Sequence, residues 1–262
     1  MNSEGAIRLA FFAGTLAIVA LLEVLAPRRP LTASKPQRWF INLSMVAIDT
    51  VAGRLVFPLL PVGMAALSAE KGWGLLNAVQ LSEPLRITLT VLALDFVIYL
   101  QHVQFHRRPL LWRLHRMHHT DLDLDVTSGN RFHPLEIIIS LAIKLAAVVV
   151  IGAPPAGVLA FEVILNTTAM FSHGNIRLPL PLDRWLRLIL VTPDMHRVHH
   201  SVIPRETDSN FGFCLPWWDR LLASYRDQPA AGHDGMTIGL KEYRNPDQLT
   251  LPRLLLMPFA RQ

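Results

Sequence analysis

The stretch that decides the fold is residues 135–170, which read LEIIISLAIKLAAVVVIGAPPAGVLAFEVILNTTAM. These 36 residues are almost all apolar, and Gly152-Ala-Pro-Pro155 divides them into two halves. Proline ends one helix and is well suited to begin another. Each half is near the lower length limit for crossing a bilayer. The pattern therefore predicts a helical hairpin at about 135–171, either as two short spans or as a re-entrant segment.

Three further apolar segments precede this hairpin, and each approaches the ~20 residues that a spanning helix needs. Ile7–Ala26 is the first, Trp39–Leu67 the second and Ile87–His102 the third. The second contains Asp49 and Arg54, so it is expected either to break or to have a polar face. Trp185–Val191 is short and amphipathic, which is typical of a helix on the bilayer surface.

Composition supports an all-α, multi-span membrane protein. Hydrophobic residues make up 51% of the 262 residues and charged residues 17%, against roughly 25% charged in an average soluble domain. Cys214 is the only cysteine, which excludes disulfide scaffolds, zinc fingers and iron–sulfur proteins. Histidine is unusually frequent, with 11 residues.

Lysine and arginine in the short loops predict the orientation, because they are enriched on the cytoplasmic side. The loop after the first span has four such residues and the segment after the third has four more: Arg28, Arg29, Lys35, Arg38, Arg107, Arg108, Arg113 and Arg116. The chain then begins outside the inner (plasma) membrane, and ten of the eleven histidines fall on the cytoplasmic side. We read the net charge of +5 as a sign of orientation, and we expect no nucleic-acid partner.

The histidines form three clusters, which are His102-x3-His106, His115-x2-His118-His119 and His196-x2-His199-His200. On a helix, residues i, i+3 and i+4 project from one face. The last two clusters repeat one pattern 81 residues apart, which suggests equivalent roles on two sides of one site.

Clustered neutral imidazoles suit iron, zinc, copper or nickel. Eight of them exceed the need of one ion, so the clusters predict two metals with three to five nitrogen ligands each. A His-Glu-x-x-His peptidase is disfavoured, because Arg116 and Arg197 follow the first histidine of their clusters where that motif needs glutamate. Adjacent pairs such as His118-His119 do not suit a di-haem protein either.

The ordered set His-x3-His, His-x2-His-His, His-x2-His-His resembles the fatty acid hydroxylase / sterol desaturase superfamily of integral-membrane, non-haem di-iron enzymes. Sequence segments around these clusters, over about Asp95 to Tyr225, also resemble those of the superfamily. They are 127-TSGNRFHPLE-136, 171-FSHGN-175, 192-TPDMH-196, 208-DSNFG-212 and 218-WDRL-221. The resemblance implies two iron ions that use O2 to hydroxylate or desaturate a lipid. The ligands that it implies are His102, His106, His115, His118, His119, His173, His196, His199 and His200.

Four other residues are candidates for roles around the metals. His133 is expected either to bind metal or to support a ligand. Because ligating histidines usually pass their other N–H to a carboxylate or carbonyl, we expect Asp95, Asp194 and Glu136 near them. Asp95 is also a candidate for a buried ion pair, and Asp194 for a helix cap.

The expected organisation is N-terminal membrane helices (1–94), a catalytic domain (95–225) and a C-terminal tail (226–262). A cytoplasmic helical cap, roughly 175–225, is expected to hold the dimetal site and to keep water out. His233 lies outside every motif, so we expect it at the surface. The alternating acids Asp121, Asp123 and Asp125 are expected to form a solvated turn.

No nucleotide-binding glycine loop and no iron–sulfur cysteines are present, so electrons are expected from an external donor that is cytochrome b5-like or ferredoxin-like. The alternative is a membrane protein of the same fold that stores metal or binds lipid without catalysis.

Overall fold

The computed structural model describes residues 3–260. Over those residues the chain is helical and contains no β-strand, which confirms the predicted all-α class. The long helices are α1 (Ser3–Leu25), α2 (Lys35–Val56), α3 (Pro61–Lys71), α4 (Glu83–Arg107), α6 (Pro134–Ile151) and α7 (Pro155–Ser172). The short ones are α5 (Pro109–His115), α8 (Leu180–Leu186), α9 (Pro193–His199), α10 (Pro204–Thr207), α11 (Trp217–Leu221), α12 (Gly232–Gly235) and α13 (Leu251–Leu256).

The predicted hairpin is present as α6 and α7. Gly152 ends α6 in the left-handed conformation, with φ of 69°, and Pro155 begins α7. A side chain at Gly152 would be strained, since few residues other than glycine adopt positive φ. The turn also packs against Gly74, where an added Cβ would lie 2.2 Å from the backbone nitrogen of Gly152. The tip of the hairpin is thus fixed by backbone-to-backbone contact.

Four segments among the described residues are long and apolar enough to cross a membrane: Ser3–Leu25, Lys35–Lys71, Pro134–Ile151 and Pro155–Ser172. The predicted second span is broken, as expected from its polar residues, because α2 ends before Pro58 and α3 begins at Pro61. The third predicted span lies within α4. That helix is 25 residues long but is not one of the four, and it buries polar residues such as Asp95 and His102.

All three histidine clusters lie at the same end of the helix bundle. The helix pairs α4–α7, α1–α7, α2–α6 and α3–α6 are in contact. Val62, Leu94, Ile98, Val148 and Phe161 form a buried cluster between them. At the end opposite the hairpin tip lie the last turns of α1, α4 and α7 and the first turns of α2 and α6.

The loop 121–128 at this end is buried, so the predicted solvated turn is wrong. Asp121, Asp123 and Asp125 are each at most 3% exposed. Arg38 of α2 donates to Asp121 at 2.6 and 2.9 Å and to Asp125 at 2.6 Å. Asp123 accepts from the backbone of Thr32. The acids are partnered by a segment more than 80 residues upstream, which the local alternation of charge does not reveal.

The C-terminal residues 226–260 also pack onto this end. Leu254 and Met257 join Ile41, Met45 and Met117 in a buried cluster. The predicted surface helix Trp185–Val191 is not formed as such: only Trp185 and Leu186 belong to α8, and the residues that follow form a turn. Trp185 is 73% exposed, whereas Val191 is buried.

Candidate metal centre

Nine of the eleven histidines meet in two adjacent groups. The first histidine group places five ring nitrogens within 4.8 Å of one another, from His102, His106, His115, His119 and His199. The second histidine group does the same with four, from His118, His173, His196 and His200. The two groups touch, since the rings of His119 and His200 stack with centroids 4.6 Å apart.

Helix geometry distributes the three clusters between the groups. His102 and His106 lie one turn apart in the last turns of α4, so both face the first group. In the second cluster, His115 and His119 join the first group and His118 the second. The third cluster reverses this, with His196 and His200 in the second group and His199 in the first. Each repeat therefore bridges both groups, as the repeated pattern suggested.

The ring nitrogens face each other in a way that a bound cation would satisfy. His102 Nδ1 lies 2.7 Å from the carbonyl of Phe211, and His115 Nδ1 lies 2.7 Å from Glu136 Oε1. Since a neutral imidazole has one N–H, these contacts assign the proton to Nδ1 of both rings. Their Nε2 lone pairs then face one another at 3.1 Å, which is repulsive without a positive charge between them.

The second group repeats this arrangement. His118 Nδ1 lies 3.2 Å from the carbonyl of Arg131, and His173 Nδ1 lies 2.7 Å from that of Ala169. The Nε2 atoms of these two histidines are 3.1 Å apart, and His173 Nε2 is also 3.1 Å from His196 Nε2.

Other inward nitrogens are buried and have no hydrogen-bond partner among residues 3–260, namely Nε2 of His106, His119 and His199. Burial lowers the pKa of His115 to about 3 and holds the pKa of His118 and His199 well below the ordinary value. These rings are therefore neutral at pH 7, which is the form that binds metal. The donor set fits two cations of the imidazole-preferring metals.

A short loop and an acid hold the first group in place. His199 Nδ1 lies 2.7 Å from the carbonyl of Ser209. The carboxylate of Asp219 fixes the same loop by accepting the backbone N–H of Phe211 and Gly212, both at 2.8 Å. Asp219 also accepts from the hydroxyl of Ser224 at 2.6 Å. Sequence reasoning assigned Asp219 no role, because none of these partners belongs to a histidine cluster.

The candidate supporting residues differ in what they contact. Glu136 contacts His115, as expected for an acid that orients a ligand. Asp95 hydrogen-bonds to no histidine in the part of the chain that the structure describes. It accepts from Trp218 Nε1 at 2.8 Å and from the backbone N–H of Cys214 and Leu215 at 3.3 Å. It therefore ties α4 to the segment before α11.

Asp194 and His133 also lie outside both groups. Asp194 pairs with Arg197 and Arg28. Burial alone would raise the pKa of this acid, but the two arginines hold it below the ordinary value. Thr192, not Asp194, caps α9. His133 caps α6 by accepting from the N–H of Leu135, and its Nε2 lies 3.1 Å from the carbonyl of Leu255.

His233 is buried rather than at the surface, so that expectation is wrong. It is 6% exposed, and its Nε2 lies 3.7 Å from Asp194 Oδ2. The chain after α11 folds back over α9, which the motif-free sequence around His233 does not indicate.

A cavity of about 450 Å³ lies beside the first histidine group, between α1, α2, α4, α6 and α7. Its wall includes Phe132, Glu136 and Phe213. Phe132 stacks on His118 with ring centroids 4.6 Å apart, and Phe213 lies 5.0 Å from His102. One layer of side chains thus separates the cavity from the ring nitrogens.

Comparison with known proteins agrees with this geometry. Ornithine lipid hydroxylase OlsE of Rhizobium tropici is 30% identical over 145 residues, which are 55% of this chain and 43% of that protein. Alkylglycerol monooxygenase of Xenopus tropicalis is 28% identical over 170 residues, 64% of this chain and 36% of that protein. The human alkylglycerol monooxygenase is 29% identical over 136 residues, 51% of this chain and 29% of that protein.

The chain therefore spans less than half the length of each of these relatives. No solved structure matches it. The model of the family described as fatty acid hydroxylase matches residues 87–224, which contain all nine histidines of the two groups. With this match over more than half of its length, the chain belongs to the fatty acid hydroxylase family.

Proposed function

We propose that this protein is a membrane-bound di-iron oxygenase that hydroxylates or desaturates a lipid, using O2 and electrons from an external donor. The observation that carries the proposal is the pair of buried histidine groups, with five and four inward nitrogens, beside a cavity between apolar helices. The nine histidines would hold two iron ions, and that pair supplies O2-dependent oxidation of a C–H bond when bound.

The protein's own residues would bind the metal ions, orient the histidine rings and shield the site from water. Backbone carbonyls and the carboxylate of Glu136 contact the Nδ1 atoms of five of the nine histidines, which keeps the Nε2 atoms of those five available to metal. Phe132, Phe211 and Phe213 surround the rings with apolar surface. Exclusion of water protects an oxidising centre from side reactions.

A lipid substrate fits the placement of the cavity, because α1, α2, α6 and α7, which form most of its wall, belong to segments long and apolar enough to span a bilayer. The named relatives act on an ornithine lipid and on alkylglycerols. We infer that a lipid with a polar head is also the substrate here, reached from within the plasma membrane, with the metal end facing the cytoplasm.

The electron donor would approach the metal end, and it would be cytochrome b5-like or ferredoxin-like. Arg107 and Arg108 are exposed there. Arg113 and Arg116 instead donate to the carbonyls of Pro258 and Met257, so they hold the C-terminal residues. A donor surface at this end would thus include Arg107 and Arg108 and not the two other arginines.

Lipid extracts test the proposal. Membranes of a host that expresses the protein should contain a lipid that has gained one oxygen or lost two hydrogens, as measured by mass spectrometry under air. The product should be absent under nitrogen and absent with His199→Ala, which removes an inward nitrogen but leaves the membrane helices intact.

His133→Ala is the matched control, because this histidine lies outside both groups, and it should leave the product in place. Two results would contradict the proposal. One is a lipid profile unchanged by expression in a host that supplies iron, O2 and reductant. The other is full product formation by His199→Ala. An unchanged profile would favour a metal-storing or lipid-binding protein of this fold.

A further inference from the structure

The wall of the cavity carries polar atoms that a plain hydrocarbon would leave unsatisfied. Its volume of about 450 Å³ is within the usual range for small-molecule sites. Within the described part of the chain, three residues of the wall bear a buried side-chain oxygen without a hydrogen-bond partner: Asp49 Oδ1, Gln101 Oε1 and Glu136 Oε2. A buried oxygen without a donor is costly, so an occupant that donates to it gains free energy.

The free atoms are acceptors because the other atoms of two of these side chains are already engaged. Gln101 donates through Nε2 to Ser140 Oγ at 2.9 Å, which leaves Oε1 free. Glu136 uses Oε1 for His115 at 2.7 Å, which leaves Oε2 free. Asp49 lines the same cavity as Gln101 and Glu136.

Two of these oxygens, those of Gln101 and Glu136, lie at the histidine end of the cavity. Gln101 directly precedes His102, and Glu136 contacts His115. Farther along α6, Lys144 is eight residues from Glu136, which is about 12 Å along a helix. At that end of the cavity the charged side chains form ion pairs, since Glu162 accepts from Arg8 at 2.6 Å and from Lys144 at 3.2 Å. The cavity oxygens that lack a hydrogen-bond donor, those of Gln101 and Glu136, are therefore next to the histidines.

We propose that this cavity binds a lipid through a hydrogen-bond-donating polar group, a hydroxyl or an ammonium, held by Asp49, Gln101 and Glu136 beside the first histidine group. The carbon presented to the histidines is then one near the polar group, not one in the hydrocarbon tail. The inference that a lipid binds here depends only on the geometry of the cavity. The inference that the carbon is oxidised rests on the proposed function above.

The test compares probes that differ only in the donor. Purified wild-type protein in nanodiscs is equilibrated under nitrogen with radiolabelled hexadecanol, hexadecyl methyl ether or hexadecylamine, and retained label gives the affinity. The alcohol or the amine should bind at least about tenfold more tightly than the ether, because the ether cannot donate. A preference for the amine would assign an ammonium group, and a preference for the alcohol a hydroxyl.

Substitutions in the cavity wall test which residues cause the preference for donor-bearing probes. Asp49→Leu and Gln101→Leu should each reduce the preference for the donor-bearing probe several-fold, whereas Asp49→Asn, which keeps an acceptor oxygen, should retain most of it. Asp247→Leu makes the same chemical change at an exposed position outside the cavity and should behave as wild type.

Equal affinity of wild type for the alcohol, the amine and the ether would overturn the proposal, and this result needs no variant that must fold. A preference that survives both leucine substitutions unchanged would also overturn it. Because the assay excludes O2 and needs no turnover, its failure is separate from failure of the oxygenase assignment, which the lipid extracts report.

Discussion

Arg38 is the residue whose removal should destabilise the metal end most sharply. Its guanidinium is 6% exposed and donates to Asp121, Asp125, Ser128 and the carbonyl of Asp123. Arg38→Leu would leave two buried carboxylates without their main partner. The loop they belong to leads from His119 to Arg131, whose carbonyl orients His118.

The expected loss follows from the cost of stranding a buried charge, which is about 3–5 kcal/mol when one partner of a buried pair is removed. For a protein of this size each kcal/mol shifts the unfolding midpoint by roughly 2–4 °C, so the midpoint should fall by roughly 6–20 °C. Arg38→Lys should lie between, since lysine keeps the charge but cannot donate to both carboxylates from one planar group.

The assay is thermal unfolding of the purified protein in nanodiscs, followed by circular dichroism. Arg205→Leu is the matched control, because Arg205 is exposed, and its free energy of unfolding should stay within about 0.5 kcal/mol of wild type, which is roughly 1–2 °C in the midpoint. A midpoint for Arg38→Leu within 2 °C of wild type, against the shift expected here, would refute the idea that this buried pairing holds the loop.

Three further outcomes are expected. His118→Ala should lower the bound metal measured by elemental analysis, whereas His133→Ala should not, and equal metal in both variants would argue against the assignment of His118. Glu136→Leu should weaken metal binding about 10–100-fold, because this acid orients a metal-binding histidine. Competition with a chelator measures the affinity, and an unchanged affinity would show that Glu136 does not have this role. Asp95→Leu removes the acceptor of three donors and should cost at least about 2 kcal/mol in unfolding, compared with Asp247→Leu, which should cost almost nothing.

Local patterns in the sequence were enough to predict the hairpin and the histidine clusters. Pro154 and Pro155 stop and start helices wherever they occur, so the division of the hairpin followed from them directly. The spacing of His196, His199 and His200 likewise brought them to one site, but it did not reveal that His199 joins the first histidine group and the other two the second. Glu136 was expected near a histidine because it closely follows His133 in the sequence, but the histidine that it contacts is His115.

Long-range pairing could not be predicted. Arg38 reaches Asp121 across 83 positions, and His233 packs against Asp194, so local charge and the absence of a motif were misleading at both sites. Asp95 lies two turns before His102, yet its side chain contacts Trp218 instead. Which neighbour a helix end meets depends on the packing of the whole bundle, and one sequence does not display it.

The central claim is that the two histidine groups each hold an iron ion. The most direct test is the ratio of iron to protein in the chain purified from membranes of an iron-replete host, measured by elemental analysis on protein quantified by amino-acid analysis. The account predicts about two iron ions per chain, one for each group of imidazoles. A preparation that is folded by circular dichroism but contains no iron, or that contains another metal in its place, would contradict it.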